Sequence, residues 1–237
     1  MQRSIVLLSL IFLVFSCEDE ETKITFSEKN FTTNQNKIVE INIPQAEGAE
    51  AVKNNINASI EAMVSASLNL DEDSVAKNMS ISESIDKFNS EYASFKSEFP
   101  ESALEWEAQI DGEIMYQSEA VISVVITNYL NTGGAHGSLV VSFLNFDALT
   151  GQSLKNEQLF NDMNAFKTVA EDYFNDQIAD KKELYFEPDN FVLPQNIGFN
   201  ETGVILLYNS YEVAPYSTGL TEFTIPFDDL VPYLNFM

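Results

Sequence analysis

Two hydrophobic periods, kept in separate blocks, constrain this chain more than any other feature. From Gly48 to Leu70, apolar residues recur at three- and four-residue steps: Ala51, Val52, Ile56, Ile60, Met63, Val64 and Leu68. That spacing puts them on one face of an amphipathic helix. The stretch "ISESIDKFNSEYASFKSEF" repeats it with Ile81, Ile85, Phe88, Tyr92, Phe95 and Phe99; Ser80 or Ser82 offers an N-cap and Pro100 marks the stop. On either side the period drops to two, the mark of half-buried strands. "KITFSEKNF" and "NKIVEINIP" precede the helices, while "ALEWEAQIDGEIMYQS" and "EAVISVVITNYL" follow them. The last of these is apolar on both faces, as a central strand is. "SLVVSFLNFDALTGQSL" predicts a hairpin with its turn at Asp147 to Gly151. A third helix, "NDMNAFKTVAEDYFNDQIAD", comes next. A hairpin turning at Asn200 to Gly203, a loop, a further strand and a short terminal helix complete the chain. Strands and helices in blocks predict an α+β fold, with antiparallel or mixed sheets and helices packed on one side.

The N-terminus carries a different signal. Arg3 and the amino terminus are followed by an apolar run from Ile5 to Phe15, interrupted by Ser9, then Ser16 and Cys17. A membrane-spanning helix needs about 20 apolar residues, so this run is too short to cross a bilayer. It reads as a signal peptide over residues 1–16. The ending "VFSC" resembles a bacterial lipobox, with Cys17 as the lipidated residue and new N-terminus. Cys17 is the only cysteine, which excludes disulfides and cysteine zinc sites. The acidic cluster Glu18, Asp19, Glu20, Glu21 then reads as an extended tether over residues 17–22 or as a surface-export signal. The expected location is that of an outer membrane lipoprotein facing the periplasm or the cell exterior, held to the membrane through its lipid.

Charge narrows the partners. Twelve Lys and Arg against 37 Asp and Glu give a net charge of −25. Nucleic acid is disfavoured as a partner because its binding requires a basic face. A cationic partner would be attracted at long range.

No catalytic constellation is legible. "DEDS" at Asp71 to Ser74 lacks the glycine and the terminal glutamate spacing of a calcium loop. "NYLNTGGAHGSL" has no P-loop lysine, and its glycines lead into a strand, not into a helix. His136 is the only histidine and no G-x-S-x-G elbow is present, so neither a serine hydrolase nor a histidine zinc site is supported. Carboxylate pairs could serve a glycosidase, but nothing singles out one pair. No metal site and no cofactor are expected. His136 reads first as part of a tight turn in which Gly133, Gly134 and Gly137 permit positive φ. A binding role on an exposed loop is the second reading. In "LLYNSYEVAPYSTGL", Tyr208, Tyr211 and Tyr216 are either packing residues or interface anchors, with Pro215 placing Tyr216 in a loop.

"NTGGAHGSLVVSFLNFDALTGQSLKNEQLF" and "GVILLYNSYEVAPYSTGLTEFTIPFDDLVPYL", in that order, resemble the C-terminal half of the RsiV-like extracytoplasmic region. That family includes lysozyme-sensing anti-sigma factors, regions beside peptidoglycan deacetylase domains, and many lipoproteins. The match runs from about Tyr129 to Leu234; the part before it fits the companion N-terminal domain in outline. The resemblance implies an α+β pair of domains, here divided as 23–117 and 118–237. It also implies lysozyme recognition through loop residues. Carried over, it singles out Pro215 and Tyr216, with the turn of His136 beside them; Tyr211, from the tyrosine-rich stretch, joins them as a candidate ligand-binding residue. The chain has no transmembrane helix, no sigma-binding segment and no deacetylase motif, so those activities do not transfer.

The leading expectation is therefore a lipid-anchored, non-enzymatic binding module for a lysozyme-like cationic protein or a cell-wall glycan. The alternatives are a polysaccharide-acting enzyme using paired carboxylates and a structural envelope lipoprotein.

Overall fold

The computed structural model describes residues 23–32, 38–70 and 79–236. The leader, Cys17, the acidic tether and the "DEDS" segment lie outside these residues.

The first sheet has six strands in sequence order: β1 (Thr25–Thr32), β2 (Val39–Glu47), β3 (Glu107–Gln117), β4 (Val121–Asn131), β5 (Ser138–Asp147) and β6 (Ser153–Leu154). All neighbours are antiparallel except β2 and β3, which run parallel. A parallel neighbour requires a crossover. Helices α1 (Glu50–Ser67) and α2 (Ile81–Glu98) lie between β2 and β3 in the chain and supply it. The division expected at 117/118 falls between β3 and β4, which are hydrogen-bonded neighbours in this sheet.

Both helices bury the face that the three-four periodicity marked. Val52, Ile56, Ile60, Val64 and Leu68 of the first, and Ile81, Ile85 and Phe88 of the second, join Ile41, Ile110, Ile122 and Ile126 of the strands in one core. Each such burial contributes roughly 1.5–3 kcal/mol. Helix α2 begins with a capping box: the Glu83 N–H donates to the Ser80 hydroxyl, and the Ser80 N–H donates to the Glu83 carboxylate. At the far end of the face, burial lessens, and Phe99 is exposed.

The second sheet is antiparallel, in the order β7 (Asn196–Phe199), β8 (Gly203–Tyr208), β9 (Thr221–Pro226). Every residue of β8 is buried, so both its faces are covered. One face carries Leu206, Tyr208 and Phe223 toward α4 (Met163–Ile178), whose Phe174 ring lies 5.5 Å from Tyr208 and 6.3 Å from Phe223. The opposite face meets the first sheet, where Gly198 of β7 sits directly against the Phe143 ring of β5. The layers thus run α1 and α2, six-stranded sheet, three-stranded sheet, α4. Two short helices, α3 (Asn156–Leu159) and α5 (Phe227–Leu230), complete the set. The fold is α+β with mixed sheets, as the block pattern predicts. No helix among the described residues is long and apolar enough to cross a membrane.

Side-chain amides join the two sheets. β6 pairs with β5 only at Asn145 and Phe146, which leaves the edge of β5 open toward its start. There the Val141 N–H donates to Asn209 Oδ1 at 2.8 Å, and Asn209 Nδ2 donates to the Val141 carbonyl at 2.9 Å. The Phe143 N–H donates to Asn196 Oδ1 at 3.3 Å. These amides continue the ladder in place of a missing strand and fix the loop after β8 against β5.

Candidate functional site

That anchoring brings together two segments about eighty positions apart. The turn 132–137 links β4 to β5, and the loop 209–220 links β8 to β9. His136 and Tyr216 stack face to face, with ring centroids 3.7 Å apart and planes 18° from parallel. His136 Nδ1 lies 2.9 Å from the Gly137 carbonyl, and the Tyr216 hydroxyl donates to the same oxygen at 3.3 Å. The Tyr211 ring follows at 6.0 Å from that of Tyr216. Pro215 leads into the short 3-10 turn Tyr216–Thr218. His136, Tyr211, Pro215 and Tyr216 therefore share one surface.

The loop is held firmly. The Glu212 carboxylate accepts the Asn209 N–H at 2.9 Å and the Gln195 N–H at 3.2 Å. The Tyr211 N–H donates to the Ala214 carbonyl at 3.0 Å. Within this frame Tyr211 has φ 70°, and no other described non-glycine residue has positive φ. A left-handed tyrosine costs about 1–2 kcal/mol. Its side chain is 60% exposed, so little packing offsets that cost. Backbone strain that packing does not offset clusters at functional sites, which makes Tyr211 a candidate.

The three glycines of the turn have different roles. Gly133 has φ 87°, in the left-handed region glycine favours, and lies against Leu104. Gly134 and Gly137 do not have positive φ, which corrects the expectation for them. Gly137 is instead a close-approach residue, since the Tyr129 ring occupies the place where a Cβ would stand. Gly134 has open surroundings, its nearest neighbour being the His136 carbonyl at 3.6 Å from a built Cβ.

Chemically the arrangement presents rings and backbone carbonyls. The hydrogen bond of His136 goes to a carbonyl of its own turn, not to a serine or a carboxylate. Among the described residues no group of three His, Cys, Asp or Glu is placed to hold a metal. The carboxyls with displaced pKa, Glu50, Glu83 and Glu105, all lie below their ordinary value. Sequence reasoning missed Asn209 and Glu212, which position the loop. Neither belongs to a periodic pattern, and their partners lie on other elements.

Tyr208, read as packing or anchor, is a packing residue. It is 1% exposed, its hydroxyl donates to the Val192 carbonyl at 2.7 Å, and burial pushes its phenol well above the ordinary range.

Comparison with known proteins gives two family matches. Residues 28–139 match the model described as Deacetylase PdaC, and residues 147–228 match a protein of unknown function, DUF3298. No curated protein matches the chain. Two solved structures share the fold. A DUF3298 family protein from Pseudomonas aeruginosa PAO1 has a TM-score of 0.60 at 18% identity, covering 92% of this chain and 96% of that one. A DUF3298 member from Bacteroides fragilis NCTC 9343 also has a TM-score of 0.60, at 20% identity, with coverage of 90% and 94%. The chain is therefore similar to the PdaC model over residues 28–139 and to the DUF3298 model over residues 147–228, and it shares its fold with two DUF3298 proteins.

Proposed function

We propose that this protein is a non-enzymatic recognition module of the cell envelope. It is tethered outside the cytoplasm through a lipid on Cys17 and presents the Tyr211–Tyr216 loop and the His136 turn to a cationic, lysozyme-like wall-active protein. The observation that carries this reading is the stack of His136 on Tyr216, beside a strained and exposed Tyr211. Tyrosines on a braced loop make effective interface anchors, because they bury a large area for few rotatable bonds. The net charge of −25 favours encounter with a basic protein.

The name of the first family model keeps an enzymatic reading in view. The donor set favours recognition. The single histidine of the chain is engaged in the stack and hydrogen-bonds a carbonyl of its own turn.

Calorimetric titration of a c-type lysozyme with the chain from Glu18 onward, which contains every described residue, tests the proposal. At physiological salt we expect saturable binding that weakens at least tenfold in Tyr211→Ala and Tyr216→Ala. Binding present only at low salt and indifferent to both substitutions would reduce the interaction to charge attraction and overturn the reading.

A further inference from the structure

Beside the Tyr211 loop lies a cavity of about 320 Å³ with an apolar floor. Phe174, Tyr185, Leu193 and Tyr208 form the floor, and Phe186 and Val192 stand at the mouth. The floor is aromatic and closely packed: the Phe174 ring lies 5.3 Å from Phe191, 5.5 Å from Tyr208 and 5.8 Å from Tyr185. The mouth is different. Phe186 is 57% exposed and Val192 59%. Large apolar side chains left in water around a concavity mark an interaction site.

The cavity is preformed. The Phe186 N–H donates to the Val213 carbonyl at 3.0 Å, and the Tyr208 hydroxyl to the Val192 carbonyl at 2.7 Å, so the mouth is tied to the loop after β8 and to the floor. Two carboxylates, Glu187 and Glu212, belong to the lining. Lys182, on the same segment, is paired with Asp189 at 3.5 Å, so its charge is partly offset. An apolar floor under an acidic rim suits an apolar group flanked by cations.

Continuity with the aromatic site narrows the occupant. Glu212 follows Tyr211 directly, and its carboxylate holds both Asn209 and Gln195, so cavity and loop form one braced unit. A stable protein interface buries roughly 800 Å² on each partner. Tyr211, Tyr216 and His136 can contribute only a fraction of that, and a partner seated on Tyr211 meets the cavity mouth next.

We propose that this cavity is a second anchor site, taking an apolar side chain flanked by Lys or Arg from the cationic protein that covers Tyr211. It rests on the proposed function for the identity of that protein only; the cavity's chemistry stands on its own walls.

The test uses two titrations of the chain from Glu18 onward. The first follows the fluorine signal of the tripeptide amide Arg-(4-fluoro-Phe)-Arg, with the glutamate analogue Glu-(4-fluoro-Phe)-Glu as control. Saturable binding of the arginine peptide is expected, with none of the control. It should be lost in Val192→Lys and weakened roughly tenfold in Phe186→Ala. Both cavity substitutions fall on exposed side chains, which spares the fold. No saturable binding, or binding that Val192→Lys leaves intact, overturns the site. The second titration, with c-type lysozyme, separates the two claims. Peptide binding without lysozyme binding keeps the cavity and removes lysozyme as its partner. Lysozyme binding that depends on Tyr211 but ignores Phe186→Ala and Val192→Lys removes the second anchor and keeps the loop.

Discussion

At Tyr211 the proposed recognition can be separated from stability. Its φ of 70° costs about 1–2 kcal/mol, and its exposed ring recovers little of that through packing. Asparagine tolerates the same backbone region. Tyr211→Asn is therefore expected to leave the urea midpoint unchanged or raise stability by up to about 1 kcal/mol, while weakening lysozyme binding. A clear loss of stability would mean that the ring packs more than its exposure indicates. The turn glycines make a second test. Gly137→Ala should destabilise by about 1–3 kcal/mol, because the new methyl meets the Tyr129 ring. Gly134→Ala, with open surroundings, should fall within ~0.5 kcal/mol of wild type. Equal effects at the two positions would contradict the roles assigned to them. The sequence shows three glycines beside a histidine, but only the position of Tyr129, across the hairpin, distinguishes them.

At the scale of elements, the site depends on how the start of β5 is paired. Asn209 takes both hydrogen-bonding groups of Val141, so Asn209→Ala leaves a half-buried N–H and carbonyl unpaired. The expected cost is roughly 1–3 kcal/mol. Faster hydrogen exchange at the Val141 amide would identify the cause, and an unchanged rate would show that the amide pairing is dispensable. Helix α2 offers a pH test. Hydrogen bonds from the Ser80 N–H and hydroxyl hold the Glu83 carboxyl below its ordinary 4.5. A depressed folded pKa stabilises in full above the unfolded value and is lost as pH falls through the folded one. Glu83→Gln can keep the capping hydrogen bond but does not titrate. The stability gap between wild type and E83Q should therefore narrow as pH drops below about 4.5. A gap constant from pH 7 to pH 3 would contradict it. Helix faces, the Ser80 cap, the central β4 and the turn at Asp147–Gly151 were legible because each is a local pattern of a few residues. The parallel pairing of β2 with β3 and the amide link of Asn209 to Val141 were not, because each joins segments far apart in the chain and no local period records which segments meet.

For the whole molecule, the tyrosine-rich stretch supplied Tyr211 and the family resemblance supplied Pro215, Tyr216 and the His136 turn, and the fold brings these residues close together. It also set a division at 117/118 that the six-stranded sheet crosses, since a sheet pairs by hydrogen bonds that composition does not record. The apolar cavity escaped the sequence altogether, because its floor draws on α4, β8 and the segment between α4 and β7. The proposed recognition works by shape, with the charge of −25 assisting encounter. Lysozyme turnover on a cell-wall substrate at physiological salt, with increasing amounts of the chain from Glu18 onward, tests it. Dose-dependent inhibition that Tyr211→Ala abolishes is expected. Undiminished turnover at saturating chain, or inhibition equal in wild type and Tyr211→Ala, would contradict it.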